Sequence, residues 1–416
     1  MRILHVNKFL YRRGGAEAYM EDAAALMTAN GHEVAFFGMH HPANTHLRYA
    51  KHFPPQVDFE PPPAAVSDRS RAVARMFWSS SARRGMAATL DEFAPDIVHL
   101  HNIYHQLSPS VLRPLRERDI PAVMTLHDYK LACPTYLFLD KGAICEACVG
   151  GHFSQAIKRR CRGGSLVQST LMAAELAVHT RLGSYDPVTL FICPSLFMHS
   201  KMTEAGVYPD RLRLLHNFIN LSGTIPAAGT GGPIVYAGRL STEKGVDILV
   251  RAAALLEPGV HVVVAGDGPQ RAQLEGLAAE VAPGRIRFTG RLTKSEVLVL
   301  VASAAVMAVP SRCYENQPLA VLEAYAAGVP VAGTALGGIQ ELVVDGETGG
   351  LAKPEDPVDL ARAITQVLHS ASDGRELGAR GKRLVEAQYS ADGHLPGLLG
   401  VYAEAQALTG RQVVRT

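Results

Sequence analysis

Two glutamates, Glu315 and Glu323, stand eight residues apart in the stretch PSRCYENQPLAVLEAYAAG at 310–328. The apolar run at 297–309 reads as a helix turn followed by a strand, and Pro310 and Ser311 mark the turn after it. Pro318 fits the first turn of a helix, where its missing N–H costs nothing. Leu319, Leu322, Ala326 and Ala327 give that helix an apolar stripe, and Gly328 and Pro330 stop it. Glu315 then lies in the loop before the helix and Glu323 near its second turn. The free N–H groups of the first turn make an anion site. A loop carboxylate, a helix carboxylate and a helix N-terminus can together grip a sugar joined to a phosphate. Taken singly, both residues also read as ordinary solvated glutamates, so their neighbours decide.

Cations come first among those neighbours. A strand at 234–236 runs into GRLSTEKG, and a helix opens at Val246. Arg239 and Lys244 straddle this loop, a suitable pair for a diphosphate, because Arg forks onto oxygens while Lys supplies a point charge. A strand at 261–265 ends in Gly266-Asp267-Gly268, and one at 285–288 leads to Gly290-Arg291-Leu292. At the start of the chain a strand at 2–9 precedes Arg13-Gly14-Gly15-Ala16-Glu17, a helix to about Asn30 and a strand at 33–37. Strand, glycine turn, helix and strand form a Rossmann-type opening. It lacks GxGxxG, so a nicotinamide site is not supported. Gly14 and Gly15 would let backbone N–H groups approach a phosphate; a plain tight turn is the other reading. Strands at 96–100 and 121–126 end in His101-Asn102 and His127-Asp128, at the edge where open α/β sheets take ligands.

Glu315 with Glu323, GRL with EKG, GGAE, and TLHDYK at 125–130 together resemble the retaining glycosyltransferases of family 4, which have the GT-B fold. The resemblance covers nearly the whole chain and is strongest over 234–352. It departs from the family text at Glu315-Asn316, where Glu-Gly is usual. It implies α/β architecture with two Rossmann-like, doubly wound parallel-sheet domains facing a cleft. It implies transfer of a sugar from a nucleoside-diphosphate sugar to a hydroxyl acceptor, a glycan or lipid-linked molecule of the kind used for surface polysaccharides. Arg239 and Lys244 would bind the diphosphate, Glu323 the ribose, and Glu315 the sugar, with His127 beside it. Gly14, Gly15, Gly266, Asp267, Gly268, Arg291, Leu292, Asn316, Gln317, Pro318 and Leu319 would complete the donor site. Glu17, His101, Asn102 and Tyr104 would face the acceptor. No metal is required for catalysis, since two cations can stabilise the leaving diphosphate. A glycosidase carboxylate pair is disfavoured by Arg239 and Lys244. A sugar-nucleotide epimerase of the same fold and a non-catalytic sugar-nucleotide-binding protein are the alternatives.

The 416 residues are enough for two cores. A net charge of +2 argues against bulk nucleic-acid binding. No apolar run reaches the ~20 residues a membrane span needs, and no signal-peptide pattern is read at the start. A cytoplasmic location is therefore expected, at the inner face of the membrane if the next feature binds it. Residues 67–93 look like one helix carrying Arg69, Arg71, Arg75, Arg83 and Arg84 with Met76, Phe77 and Trp78 between. That composition suits a solvated face or an anionic membrane surface.

Residues 1–220 are assigned to an acceptor-side domain, 221–233 to a linker, 234–390 to a nucleotide-sugar-binding domain, and 391–416 to a helix crossing back to the first domain. The first of these carries 24 Lys and Arg against 19 Asp and Glu, and 14 of the 17 histidines. It also holds a cysteine-rich insert at 130–164 with Cys133, Cys145, Cys148 and Cys161. A loop this long with no core of its own wants a staple, and four thiolates around one structural zinc would supply it. Free thiols, a redox CxxC and an Fe–S cluster are the other readings.

Overall fold

Runs such as IVHL, AVMT, LFIC, VVVA and VMAV are four residues long and buried at every position. A strand with no polar face must be covered on both sides, and helices between parallel strands provide that cover. The computed structural model describes residues 1–57, 59, 66–220, 231–370 and 374–410. Its first sheet holds β1 (Arg2–Val6), β2 (Glu33–Phe37), β3 (Ile97–Leu100), β4 (Ala122–Thr125), β7 (Leu190–Cys193) and β8 (Leu212–Leu214), with β5 (Leu139–Asp140) and β6 (Ala143–Ile144) forming a small antiparallel hairpin between β4 and β7. The second holds β9 (Ile234–Ala237), β10 (Val262–Ala265), β11 (Ile286–Gly290), β12 (Val306–Val309), β13 (Val331–Thr334) and β14 (Gly349–Ala352). The orders are β2-β1-β3-β4-β7-β8 and β11-β10-β9-β12-β13-β14. All pairs within these two sheets are parallel. Strand order reverses between β1 and β3 in one and between β9 and β12 in the other, and crevices open at such points.

The helix Ala391–Leu408 belongs in space to the first sheet. Its Leu398, Val401, Tyr402 and Ala405 pack with Ile3, Tyr19, Ile97, Val123 and Ile192. Leu398 and Tyr402 are fully buried, each contributing about 1.5–3 kcal/mol of apolar burial. The helix begins at Ala391, where Ser390 caps it, and Pro396 lies inside it.

Other departures have local causes. The basic segment is two helices, Val66–Phe77 and Ser80–Phe93. Ser79 breaks it: its Oγ accepts from the Ala82 N–H, and its own N–H donates to Ser108 Oγ. β14 occupies part of what reads as a turn at 345–350. Its Gly349 lies so close to β13 that a Cβ would sit 2.0 Å from the Val331 carbonyl oxygen. The cysteine insert does have a small core, because Cys148, Phe153 and Ala156 pack on Ala173 and Leu176 of the helix Leu166–Arg181. A buried ion pair adds to it, Lys130 Nζ to Glu175 Oε2 at 2.6 Å. The linker at 221–233 lies, for residues 221–230, outside the described residues, as do 411–416.

Candidate functional site

In the second sheet the candidates gather where strand order reverses. Lys244 follows β9 and Glu315 follows β12, and they meet at 2.7 Å. Ser311 Oγ donates to the same Glu315 oxygen at 2.6 Å. Burial alone would raise the Glu315 carboxyl, but Lys244 outweighs it and holds the pKa below its ordinary value. Burial likewise opposes the Lys244 charge, and Glu315 outweighs it in turn. The loop of Gly266, Asp267 and Gly268 is pressed onto this one, with the Leu240 N–H donating to the Asp267 carbonyl at 3.0 Å. A Cβ on Gly266 would lie 1.8 Å from the Gly238 carbonyl oxygen, at φ +145°, so only glycine fits. Gly266 also donates to the Gly290 carbonyl, which brings Arg291 and Leu292 to the same edge. Arg239 is exposed, and its guanidinium has no hydrogen-bond or ion-pair partner among the described residues.

The helix Leu319–Ala326 starts beside them with Pro318 as its N-cap rather than inside its first turn, and no side chain caps it. Glu323 is half-buried on its second turn, and its carboxylate again has no hydrogen-bond or ion-pair partner among the described residues. Burial raises its pKa, and the charges that reach it are Lys294, Asp22 and Arg12.

The first sheet contributes the opposite wall. Gly14 is the N-cap of the helix Gly15–Ala29, and no side chain caps that helix either. Its φ of −162° is extended, so no unusual backbone requires a glycine there. The glycines instead keep the wall bare: a Cβ on Gly15 would touch Leu319 Cδ1 at 3.8 Å. Two helix N-termini without side-chain caps thus come together at Gly15 and Leu319, and both dipoles favour an anion there. Glu17 turns inward and accepts from Asn7 Nδ2 at 3.2 Å.

Behind this wall the predicted acceptor-side groups form a closed network. Asn102 receives the Tyr104 hydroxyl at 2.8 Å, and Tyr104 also approaches Asp128. Lys8, unremarked in the sequence, lies over the Tyr104 ring at 5.0 Å and within electrostatic reach of Asp128 and Glu17. His127 Nε2 is 3.0 Å from His101 Nδ1, and His101 Nε2 is 3.0 Å from His5 Nδ1. His5, His99 and His101 have ring nitrogens within 4.8 Å of one another. They do not make a convincing metal site. Both His99 nitrogens are already engaged, with the Tyr402 hydroxyl and Thr125 Oγ1, each at 2.7 Å, and both His101 nitrogens are engaged as well.

Asn316 and Gln317 join the two walls. Asn316 Nδ2 donates to the Leu126 carbonyl at 2.7 Å and its Oδ1 accepts from Ser195 Oγ at 3.1 Å. Gln317 Oε1 accepts the Asn217 N–H at 2.5 Å. The Asn316 side chain therefore uses the position at which the family text has glycine to bridge the halves. Glu341, also missed, accepts N–H groups from Leu196 and Phe197 at the start of a first-domain helix, and no sequence signal marks that pairing. Tyr314, beside Glu315, donates to Glu146 of the cysteine insert at 2.7 Å. A cavity of about 610 Å³ opens between the cysteine insert and the second domain, lined by Thr135, Lys141, Arg162, Glu243 and Arg312 among others.

All four insert cysteines are free thiols. The Cys148 thiol lies within electrostatic reach of Cys133, Cys161 and Cys145, and burial with those neighbours raises it to about 12. Among the described residues no three of the four sulfurs lie within 4.8 Å of one another.

The sequence profile described as Glycosyltransferase Family 4 matches residues 13–222, just over half of the chain. The chain belongs to glycosyltransferase family 4. A second profile, Glycosyl transferases group 1, matches residues 232–370 of this family 4 chain. The lipopolysaccharide core biosynthesis glycosyltransferase LpsE of Rhizobium meliloti is 29% identical over 222 residues, 51% of this chain and 64% of LpsE. The chain spans about half the length of other curated relatives it matches, 50% for a D-inositol 3-phosphate glycosyltransferase of Salinispora tropica. Sucrose-phosphate synthase from Thermosynechococcus elongatus superposes with a TM-score of 0.71 at 21% identity, covering 98% of this chain and 99% of that one. That likeness shows the fold, which is GT-B. No described helix is long and apolar enough to cross a membrane.

Proposed function

We propose that this chain moves a sugar from a nucleoside-diphosphate sugar to a hydroxyl acceptor, with retention at the anomeric carbon. The observation that carries the reading is the pair of uncapped helix N-termini that come together at Gly15 and Leu319, with Lys244 held nearby on Glu315 and Arg239 on the same loop as Lys244. Two helix dipoles and two cations suit a diphosphate. Glu323, whose carboxylate has no partner among the described residues, would accept the ribose hydroxyls, and Glu315, held by Lys244, would contact the sugar. HepE of Anabaena, a structure with a TM-score of 0.68 and 18% identity that covers 97% of this chain and 100% of HepE, was solved with UDP and glucose. UDP-glucose is accordingly the first donor to try.

The acceptor oxygen attacks the anomeric carbon from the face that the diphosphate leaves. The bond from that carbon to the phosphate oxygen breaks and its electron pair stays on the phosphate. The acceptor proton passes to that phosphate, giving a glycoside and a nucleoside diphosphate. Arg239 and Lys244 stabilise the charge that develops on the leaving group. His127, two residues beyond β4, would lie beside the transferred sugar. A glycan or lipid-linked acceptor, as in surface polysaccharide assembly, enters from the side of Lys8, Tyr104 and Asp128. Incubation with UDP-glucose and a panel of such acceptors tests this. The expected product has the anomeric configuration of the donor by NMR; an inverted product, or free epimerised donor, would contradict it.

Zinc at Cys133, Cys145, Cys148 and Cys161 is part of the proposal as a structural staple. The residue types fit a closed thiolate site, which the four sulfurs would have to draw together to form, and binding would deprotonate thiols that burial keeps protonated. Holding the insert would hold Glu146 against Tyr314. Metal content well below one per chain in untagged protein would remove it. Contact with anionic membrane through Arg75, Arg84 and the exposed Trp78 is tested by liposome co-sedimentation at low salt.

A further inference from the structure

Two buried histidines, His5 and His101, lead from the first sheet to the half-buried His127, and their far end is a dead end. His5 on β1 stacks on His101 at 5.4 Å between centroids with planes 9° apart, and His101 on His127 at 5.3 Å and 28°. Nitrogen to nitrogen, the chain runs His5 Nδ1 to His101 Nε2 and His101 Nδ1 to His127 Nε2. His5 Nε2 is buried and has no hydrogen-bond partner among the described residues. Tyr19, His99 and Phe36 pack their rings against the chain, and His46, its own pKa lowered by burial, is the titratable neighbour felt at His5. No carboxylate hydrogen-bonds to it among the described residues. Burial keeps all three imidazoles uncharged at neutral pH, His5 and His127 with pKa lowered to about 3.

An uncharged imidazole has one donor and one acceptor nitrogen, so a chain of three has only two polarities. In one, each ring carries its hydrogen on Nε2. That leaves an orphaned N–H on His5 in the protein interior. In the other, each carries it on Nδ1, and the orphan is a bare lone pair. Either orphan costs desolvation, and orphaned buried N–H groups are the rarer of the two. The second polarity puts the His127 hydrogen on Nδ1, the nitrogen without a protein partner.

We propose that His5 and His101 are positioning residues that lock His127 as its Nδ1–H tautomer, a fixed hydrogen-bond donor to an oxygen of the bound sugar. The part concerning the sugar rests on the proposed function; the tautomer does not. Because the chain ends blind at His5, it orients a proton and does not conduct one out of the cleft.

The test is nitrogen-15 NMR of histidine-labelled full-length protein without ligand, with His127 assigned by difference from His127→Asn. Wild type is expected to show Nδ1–H at His127. His101→Asn, whose amide can still donate to His127 Nε2, is expected to preserve it. His101→Leu removes that donor and is expected to shift His127 toward Nε2–H, the form preferred by free imidazole in water. With UDP-glucose, His101→Leu should lose about tenfold in kcat with UDP affinity unchanged, and His101→Asn should restore most of it. An Nε2–H tautomer or an imidazolium at His127 in the wild type would overturn the proposal. So would a folded His101→Leu in which the tautomer stays put. If His101→Leu does not fold, the wild-type and His101→Asn spectra still decide. Absence of any turnover alongside the expected tautomer would count against the proposed function alone.

Discussion

The two walls of the cleft are prepared in opposite ways. On the second-domain wall the key groups are left open. The Arg239 guanidinium and the Glu323 carboxylate have no partners among the described residues, the helix at Leu319 is uncapped, and Lys244 spends its charge on Glu315 alone. On the first-domain wall nearly every polar group is already committed. Asn7 holds Glu17, Tyr104 approaches Asp128, and His127 is tied through His101 to His5. A wall of unsatisfied groups gains most from a ligand that supplies their partners. A wall of satisfied groups gains rigidity, and presents a fixed geometry to whatever the other wall brings. The donor is thus expected to be bound chiefly by one domain and oriented by the other.

Substitutions separate the two roles. Lys244→Ala is expected to have the largest effect, lowering kcat by about 10²–10³-fold through loss of leaving-group stabilisation. It also leaves Glu315 half-buried without its cation. Lys244→Ala/Glu315→Gln should recover stability in a thermal melt while staying inactive; recovered turnover would show that Lys244 served only Glu315. Glu323→Ala, by contrast, removes a group with nothing to lose in the free protein. Unliganded stability should change by no more than about 0.5 kcal/mol, while nucleotide affinity by calorimetry falls about 10- to 100-fold, the worth of hydrogen bonds to a charged acceptor. Equal binding of the ribo and 2′,3′-dideoxy nucleotides by wild type would place Glu323 elsewhere.

Acid should act on the other wall. His5 and His127 are lowered to about 3 and His394 to about 4 by burial, against about 6.5 in the unfolded chain. Below about pH 6.5 the unfolded state binds more protons, so this stability is complete above that value and is lost as pH falls toward 3. The expected slope is about 1.4 kcal/mol per pH unit for each such histidine. A melting temperature flat between pH 7 and 5 would mean that the histidines are not buried uncharged. The smallest effect is expected from Asn316→Gly, which restores the family residue and removes two bonds between the walls. It should loosen closure by about 1 kcal/mol, seen as a larger radius of gyration in small-angle scattering with catalysis nearly kept.

Much of the second-domain wall was legible in the sequence because its chemistry is local. Arg239 and Lys244 lie on one loop, Glu315 and Glu323 on one loop and helix, and glycines mark the turns. The first-domain wall is assembled from strand ends far apart in sequence. His5 in ILHV reads as core, and nothing local says that it meets His101, 96 residues on. Three parallel strands each carrying a histidine at or beside the carboxyl end were the available signal. The Ser79 break and β14 were missed for a related reason: each depends on a contact with another segment, Ser108 for one and Val331 for the other. Asn316 looked like a departure within a motif, and only the folded chain shows what it bridges.

The central claim is that the cleft takes a nucleoside diphosphate between its two uncapped helices. Thermal stability of the wild type and of Glu323→Ala/Lys244→Ala against UDP, GDP, ADP, CDP and dTDP tests it most directly, because a ligand that binds only the folded state must raise the midpoint. One nucleotide stabilising the wild type and not the double variant is the predicted result. No stabilisation of folded wild type by any of the five, or equal stabilisation of both proteins, would contradict it.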